Sequence, residues 1–320
     1  MPDCESPMTS ETELCAAASQ TDTSLAGQYR SNGYVVLEEA VDPADLSAAA
    51  ASIEQRQIDA GRVSRSDRYN KAGRIDFTKI PNLAKNDESF RRLASSPAVV
   101  QAVEALLEQQ ALLFRDVMVI KPARDGALLD YHQDSEYWDI EPRALVSAWF
   151  PFRTVEVEDG CLRVIPGSHL RQYPHDILLG ESRSLPAGIT SALRRMVSLA
   201  GTGDSDASGF SAARKLKNGL LGNFTRRLSF LAKLQDLHAR IPEEEKLRAV
   251  NLPVRKGSVI LFHSMLLHAS NPNTSTVDRL AYIPSYMGSD YSFRGVGDPE
   301  FLVVGESASK IFKKIKSVKS

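Results

Sequence analysis

Ala111-Leu112-Leu113-Phe114-Arg115-Asp116-Val117-Met118-Val119-Ile120-Lys121, closed by Pro122, is the stretch on which the fold class turns. An apolar, β-branched run cut off by a proline reads as a strand. Immediately upstream the pattern is helical. Ser96-Pro97 is a helix start, and Val99, Val100, Val103, Leu106 and Leu107 follow at helical spacing. Downstream the strand signature recurs in Ala144–Phe152, in Cys161–Ile165 between the Asp159-Gly160 and Pro166-Gly167 turns, in Ser258–His263 and in Leu280–Met287. Short strands with polar turns and no alternating helices predict an antiparallel barrel or sandwich, mostly β, with the N-terminal helices packed on one face.

Working outward from this block, Gly33 punctuates a β-like run, Tyr34–Leu37. Asp42-Pro43 then opens a second helix that runs to about Ile58, with Asp42 as cap and Pro43 at the first helical position. Residues 1–24 are polar and aperiodic and read as a disordered tail, with order starting near Gln28. One domain is expected over 25–305, followed by a basic tail, 306–320, whose Ile311, Ile315 and Val318 share a face of a frayed helix. The strand signal disappears between Gly180 and about Pro253. Within that stretch, residues 191–240 hold nine Lys/Arg against three Asp, and Leu228, Leu231, Leu234 and Leu237 have helical spacing. This predicts a helical insertion over about 180–250. Its basic face is a solvated surface or a lid facing an anionic substrate.

Composition narrows the function. The chain has 320 residues and a formal net charge of -1. No global field draws it to nucleic acid or to an anionic membrane, and no apolar run approaches a membrane span. Three cysteines, Cys4, Cys15 and Cys161, without a CxxC pair argue against a disulfide framework or a structural zinc site, so a cytoplasmic location is expected.

The chemistry concentrates in Asp130-Tyr131-His132-Gln133-Asp134-Ser135-Glu136-Tyr137-Trp138. On an extended backbone His132 and Asp134 share a face and can reach one metal ion. They are two-thirds of a facial triad, which needs a further histidine and leaves three coordination positions open. His263 and His268 both lie in a strand context, five residues apart, so a regular strand directs them to opposite faces. Arg279 follows His268 by eleven residues, and a buried guanidinium there can hold a dicarboxylate by a bidentate pair. That pairing selects His268 as the ligand and leaves His263 as a packed histidine. His169 reads as a support of loop geometry. Glu136, Tyr137 and Trp138, which follow the ligand pair, are candidates to line a substrate pocket.

Taken together, Tyr131–Asp134 through Trp138, Asp159-Gly160-Cys161-Leu162-Arg163-Val164-Ile165-Pro166-Gly167-Ser168-His169, and Lys256-Gly257-Ser258 through His268-Ala269-Ser270 to Arg279 resemble the phytanoyl-CoA dioxygenase family. Tyr29–Leu37 fits the same family. The resemblance runs from about 28 to 290 apart from the insertion, whose length and basicity depart from the family. It implies a double-stranded β-helix (jelly-roll, cupin-like) core. It implies Fe(II) held by His132, Asp134 and His268, 2-oxoglutarate as co-substrate anchored by Arg279, and O2 as oxidant. It also implies Lys79, Trp149 and Ser270 as further 2-oxoglutarate contacts, although core packing accounts equally for Trp149 and a turn hydroxyl for Ser270. The expected reaction is hydroxylation of a small molecule, with succinate and CO2 released. Desaturation or ring formation with the same iron is one rival, and a ligand-binding barrel without turnover is another. Asp134, where related halogenases carry a small residue, argues against halogenation.

Overall fold

Among the residues that the computed structural model describes (24–59, 78–124, 128–138, 140–178, 236–293, 300–303 and 312–314), helices come first. Helix α1 spans Leu25–Asn32, so order begins before Gln28. Ser24 caps it, accepting from the Gly27 N–H at 3.1 Å. Gly33 ends it with φ at 80°, a left-handed conformation in which a β-carbon would meet His169 Nδ1 at 2.5 Å. Helix α2 spans Pro43–Asp59, and Asp42 caps it through Oδ1 to the Ala44 N–H at 2.7 Å. Three more helices, α3 (Leu83–Asn86), α4 (Glu88–Ala94) and α5 (Pro97–Leu107), lead into the strands. A short helix, α6 (Glu243–Lys246), comes later.

The strands are β1 (Tyr34–Leu37), β2 (Thr78–Pro81), β3 (Ala111–Lys121), β4 (Leu129–His132), β5 (Ile140–Glu141), β6 (Val146–Pro151), β7 (Leu162–Val164), β8 (His175–Leu178), β9 (Asp236–Ala239), β10 (Val250–Leu252), β11 (Val259–His263), β12 (His268–Ser270), β13 (Arg279–Gly288), β14 (Ser292–Phe293), β15 (Glu300–Val303) and β16 (Phe312–Lys314). An eight-stranded antiparallel sheet runs β1-β11-β6-β13-β3-β15-β16, with β2 also on β3. A four-stranded sheet runs β10-β7-β12-β4. The two sheets face each other as a sandwich and are not hydrogen-bonded into one closed barrel.

Two cores follow from strand alternation. On the outer face of the large sheet, Met118, Ile120, Phe150, Leu261, Tyr282 and Tyr286 meet the helices. Phe90 of α4 packs edge-on to Tyr282, with centroids 4.9 Å apart. The Tyr282 hydroxyl donates to Asp116 at 3.0 Å and that of Tyr286 to the Ala94 carbonyl at 2.9 Å, so both buried hydroxyls are satisfied. Full burial of each such aromatic side chain contributes roughly 2–3 kcal/mol. On the inner face, Trp149, Ile260, Phe262 and Ala281 meet Cys161, Leu162 and Val164 of the small sheet. The site lies between these layers.

The sequence reading needs correction in three places. Within the span expected to be a helical insertion, residues 179–235 lie outside the described residues. In the remainder, Leu237 belongs to strand β9, which pairs with β8, so strand replaces the expected helix there, whereas Glu243–Lys246 is helical and Val250–Leu252, at the margin of the span, pairs with β7. Both strands are too short to show a period of their own, and pairing across the fold decides them. At the C-terminus, Phe312–Lys314 pairs with Glu300–Leu302 as a strand rather than continuing as a helix, because β15 offers it an open sheet edge. Residues 1–23, expected as a disordered tail, lie outside the described residues. Among the described residues no helix is long and apolar enough to cross a membrane.

Candidate metal centre

Strand β12 lies between β4 and β7, with His268 opposite His132 on one side and Val164 on the other. The two imidazole centroids are 4.2 Å apart. Asp134 arrives differently from the sequence expectation. Strand β4 ends at His132, and Asp134 opens a 3-10 turn, Asp134–Tyr137, so a turn and not strand alternation delivers its carboxylate. Its Oδ1 lies 3.7 Å from His132 Nε2 and 3.8 Å from His268 Nε2. Each separation is shorter than two ligand bonds of ~2.1 Å, so one ion can span it. Among the described residues these three form the one cluster with metal-ligand spacing.

Both imidazoles are oriented from behind. His132 Nδ1 lies 2.8 Å from the Asp130 carbonyl and His268 Nδ1 lies 2.9 Å from the Leu266 carbonyl. A carbonyl only accepts, so each Nδ1 carries the proton and each Nε2 lone pair faces the cluster. Burial, reinforced by the neighbouring His268 ring, pushes the pKa of His132 well below the usual range and keeps it neutral.

The residue between the ligands is as constrained as they are. Gln133 is fully buried. Its Nε2 donates to the Arg171 carbonyl at 2.8 Å and to the Met265 carbonyl at 2.6 Å, and its Oε1 accepts from the Tyr173 N–H at 2.9 Å. His175 Nε2 accepts the Gln133 N–H at 3.1 Å. His238 of β9 lies 2.6 Å from Asp130, which ties the β8–β9 hairpin to the ligand strand. Sequence reasoning passed over Gln133 and His175, and only the bracketing of Gln133 by two candidate ligands hinted at its role.

Arg279 heads β13 and is 2 % exposed. Its guanidinium carbon sits 5.6 Å from the Trp149 ring centroid, and its Nε is buried without a hydrogen-bond partner. Burial lowers its pKa to about 10. Opposite it in the register is Lys121, also fully buried, whose ammonium donates to the carbonyls of Ser270 at 2.8 Å and Asn271 at 2.6 Å. Burial, with Arg279 close by, lowers the Lys121 pKa to about 7. Lys121 therefore fixes the backbone of Ser270, itself buried on β12, and sequence reasoning missed it because a lysine at a strand end reads as solvated. Lys79 is exposed on β2 and acts electrostatically on His132, so it lies near the cluster.

Of the three residues that follow the ligand pair, Tyr137 packs edge-on to the His132 ring at 5.9 Å. Trp138 is buried beneath Arg115, whose guanidinium carbon lies 5.3 Å from its ring centroid. Glu136 points elsewhere, into an ion pair with Arg143 at 2.6 Å and a hydrogen bond from Gln172 at 2.9 Å.

His263 sits apart from the metal cluster. Its ring contacts His169 at 5.2 Å and Tyr29 at 6.0 Å, and its Nδ1 accepts the Met265 N–H at 3.0 Å. Burial first, then His169, lowers its pKa from 6.5 to about 4. Between those values the unfolded chain binds a proton that the folded chain refuses, so stability is full above pH ~6.5 and falls as pH drops toward ~4. The shift is worth up to about 3 kcal/mol. Urea unfolding at pH 7 and pH 4.5 should show a larger acid loss in the native protein than in His263→Asn, which keeps an acceptor for Met265. Equal losses in the two proteins would remove His263 as the cause.

A family model described as phytanoyl-CoA dioxygenase matches residues 29–281. A phytanoyl-CoA dioxygenase domain-containing protein 1 homolog of Dictyostelium discoideum is 23% identical over 270 residues, covering 80% of each chain. The Mus musculus phytanoyl-CoA dioxygenase domain-containing protein 1 is 27% identical over 201 residues, 62% of this chain and 53% of that protein, so here the match spans about half of the relative. Among solved structures, the non-heme monooxygenase ThoJ aligns with a TM-score of 0.59 at 20% identity, covering 89% of this chain and 85% of that one. The epimerase SnoN, in complex with Fe3+ and alpha ketoglutarate, aligns at 0.54 and 20% identity, covering 85% and 86%. The carbocyclase SnoK of nogalamycin biosynthesis aligns at 0.55 and 20% identity, covering 85% and 86%. These structural likenesses carry the fold, a cupin-type double-stranded β-helix. With the family model spanning most of the sequence, the chain belongs to the phytanoyl-CoA dioxygenase family of iron- and 2-oxoglutarate-dependent oxidoreductases.

Proposed function

We propose that this protein hydroxylates an unactivated C–H bond of a small molecule, with Fe(II) held by His132, Asp134 and His268 and 2-oxoglutarate anchored at Arg279. One observation carries the reading. A buried guanidinium with an orphaned Nε stands over Trp149, on the same inner face of the large sheet as Phe262, whose ring lies 4.9 Å from that of His268. A buried cation without a counter-charge is costly unless a ligand supplies one. A dicarboxylate whose far end meets Arg279 supplies it.

The donor set fits the metal. Two neutral imidazoles and one carboxylate on one side of an ion leave the other side open for co-substrate and oxygen, which is the pattern of non-haem Fe(II) oxygenases. Bound iron and 2-oxoglutarate supply the oxidising power, with succinate and CO2 as by-products. The chain's own residues do the rest. Asp134 brings the one negative charge, and the Asp130 and Leu266 carbonyls hold the two imidazoles in register. Lys121 positions Ser270 beside Arg279. Lys79 and Trp149 complete the proposed 2-oxoglutarate pocket, and the apolar inner core excludes water from the chemistry.

The test is succinate formation by purified protein supplied with Fe(II), 2-oxoglutarate and air, with and without a library of small molecules. Turnover that needs both iron and 2-oxoglutarate is expected, and the compound that accelerates it becomes the substrate candidate. Protein that neither retains Fe(II) nor consumes 2-oxoglutarate would overturn the reading. A second outcome, ring closure or desaturation, has support in the shared fold of the carbocyclase SnoK. The ligand set is the same for these outcomes, and mass analysis separates them: oxygen gained for hydroxylation, two hydrogens lost for the others.

A further inference from the structure

Strand pairing puts a second cation on the inner wall of the large sheet. Arg115 of β3 lies directly opposite Ser285 of β13, and Ser285 lies opposite Ser147 of β6. The two serine hydroxyls are 2.9 Å apart and fully buried. Ser147 in turn pairs with Phe262 of β11, whose ring stands 4.9 Å from the His268 imidazole. Directly opposed residues in antiparallel strands share a face. One row therefore runs Arg115, Ser285, Ser147, Phe262 and ends against a residue of the metal cluster.

Arg279 lies on the same face of the sheet, six positions before Ser285 on β13. The even spacing keeps both on the inner side and separates them by roughly 20 Å along an extended strand. Arg115 is thus a different cation at a different end of the chamber. It is half-buried, and the carboxylate on which its charge acts is that of its chain neighbour Asp116, whose Oδ2 accepts from the Ala84 N–H and the Tyr282 hydroxyl on the other face of the sheet. Its guanidinium carbon lies 5.3 Å from the ring centroid of Trp138, whose indole N–H is buried with no acceptor. Arg115 and Trp138 together thus offer a guanidinium and an indole N–H, both donors, to something that accepts.

Resting on the assignment of the chamber as the reaction site, we infer that Arg115 is the specificity-determining residue for a substrate carrying an oxyanion, a carboxylate or a phosphate, at the end remote from the reacting carbon. The guanidinium matches a two-oxygen group by parallel N–H donation, and its contact with the Trp138 ring restricts it before anything binds. Val117 and its partner Ile283 come next to Arg115 and Ser285 on the same face, on the side toward Arg279, so the body of such a substrate is apolar. Oxygen-rich sugars without charge are not what this wall selects.

The experiment uses the full-length protein, anaerobic, with Fe(II) and saturating 2-oxoglutarate so that Arg279 is already engaged. Hexanoate, hexyl phosphate and hexanamide are titrated as probes, and binding is read from intrinsic fluorescence, to which Trp138 contributes, and by calorimetry. Expected is tighter binding of at least one anion than of the neutral amide, by ~10-fold. The better anion identifies the oxyanion. Arg115→Gln should bring the ratio to about one while hexanamide binds as before, and Arg115→Lys should keep part of it. A native ratio near one, or a ratio unmoved in Arg115→Gln, overturns the inference. If Arg115→Gln does not fold, the Arg115→Lys ratio and the salt dependence of the native ratio decide, and a preference indifferent to both counts against Arg115. If the protein fails to hold Fe(II) or 2-oxoglutarate, the proposed oxygenase function falls. The acid-to-amide ratio, measured on the protein alone in an Arg279→Gln background, still reads Arg115.

Discussion

Asp134→Ala should lose iron and turnover together, with succinate formation down by roughly 10³-fold. The two imidazoles are neutral donors, so Asp134 provides the cluster's only formal charge, and its Oδ1 stands within 4 Å of both Nε2 atoms. Without it a divalent ion keeps two ligands on adjacent strands and no compensating anion. The substitution should leave the fold standing, because Asp134 opens a short 3-10 turn and belongs to none of the apolar cores. Asp134→Asn separates charge from shape: it keeps an oxygen donor and should still bind iron at least ~10-fold more weakly. Iron per chain after desalting and succinate per minute are the measurements. Wild-type iron content in Asp134→Ala would exclude His132, Asp134 and His268 as the ligand set.

Replacing Arg279 should separate binding from stability in opposite directions. Arg279→Gln removes the proposed partner of the far carboxylate, and breaking such a buried pair costs about 2–5 kcal/mol, or ~30- to ~4000-fold in the KM for 2-oxoglutarate. Arg279→Lys should recover only part, since an ammonium lacks the two-pronged geometry. In the absence of 2-oxoglutarate the sign reverses. The native protein then buries an uncompensated guanidinium, whose pKa is lowered to about 10 by that burial, and Arg279→Gln removes the cost. The variant should melt higher than the native protein without 2-oxoglutarate, and added 2-oxoglutarate should raise the melting temperature of the native protein alone. An unchanged KM would sink the anchor. A lower melting temperature without 2-oxoglutarate would mean that protein groups already satisfy Arg279.

Much of the architecture was legible because its signals are local. Strand β3 begins and ends where its β-branched composition and Pro122 place it, and β1 coincides with Tyr34–Leu37. Helices α2 and α5 start at Asp42-Pro43 and Ser96-Pro97, where a cap and an N1 proline are written in adjacent letters. Helix α1 was not legible past its glycine, since Leu25–Asn32 is polar and its stability comes from Ser24, Gly33 and the burial of Tyr29 against the sheet. Strands β9, β10 and β16 have three or four residues each, too few for any period to emerge.

The sequence by itself determined the chemistry of the donors: two imidazoles, one carboxylate and a following arginine, together with a β-rich chain to carry them. Only the tertiary structure decided how they meet. His132 and His268 are distant in the chain, and the pairing of β4 with β12 makes them neighbours. A 3-10 turn, not strand alternation, swings Asp134 toward them. Lys121, Gln133 and Arg115 acquire their roles from partners in distant segments of the chain. The physical reason is that ligand identity is a property of a side chain, whereas register, burial and counter-charge belong to pairs of segments, and no single segment encodes its partner.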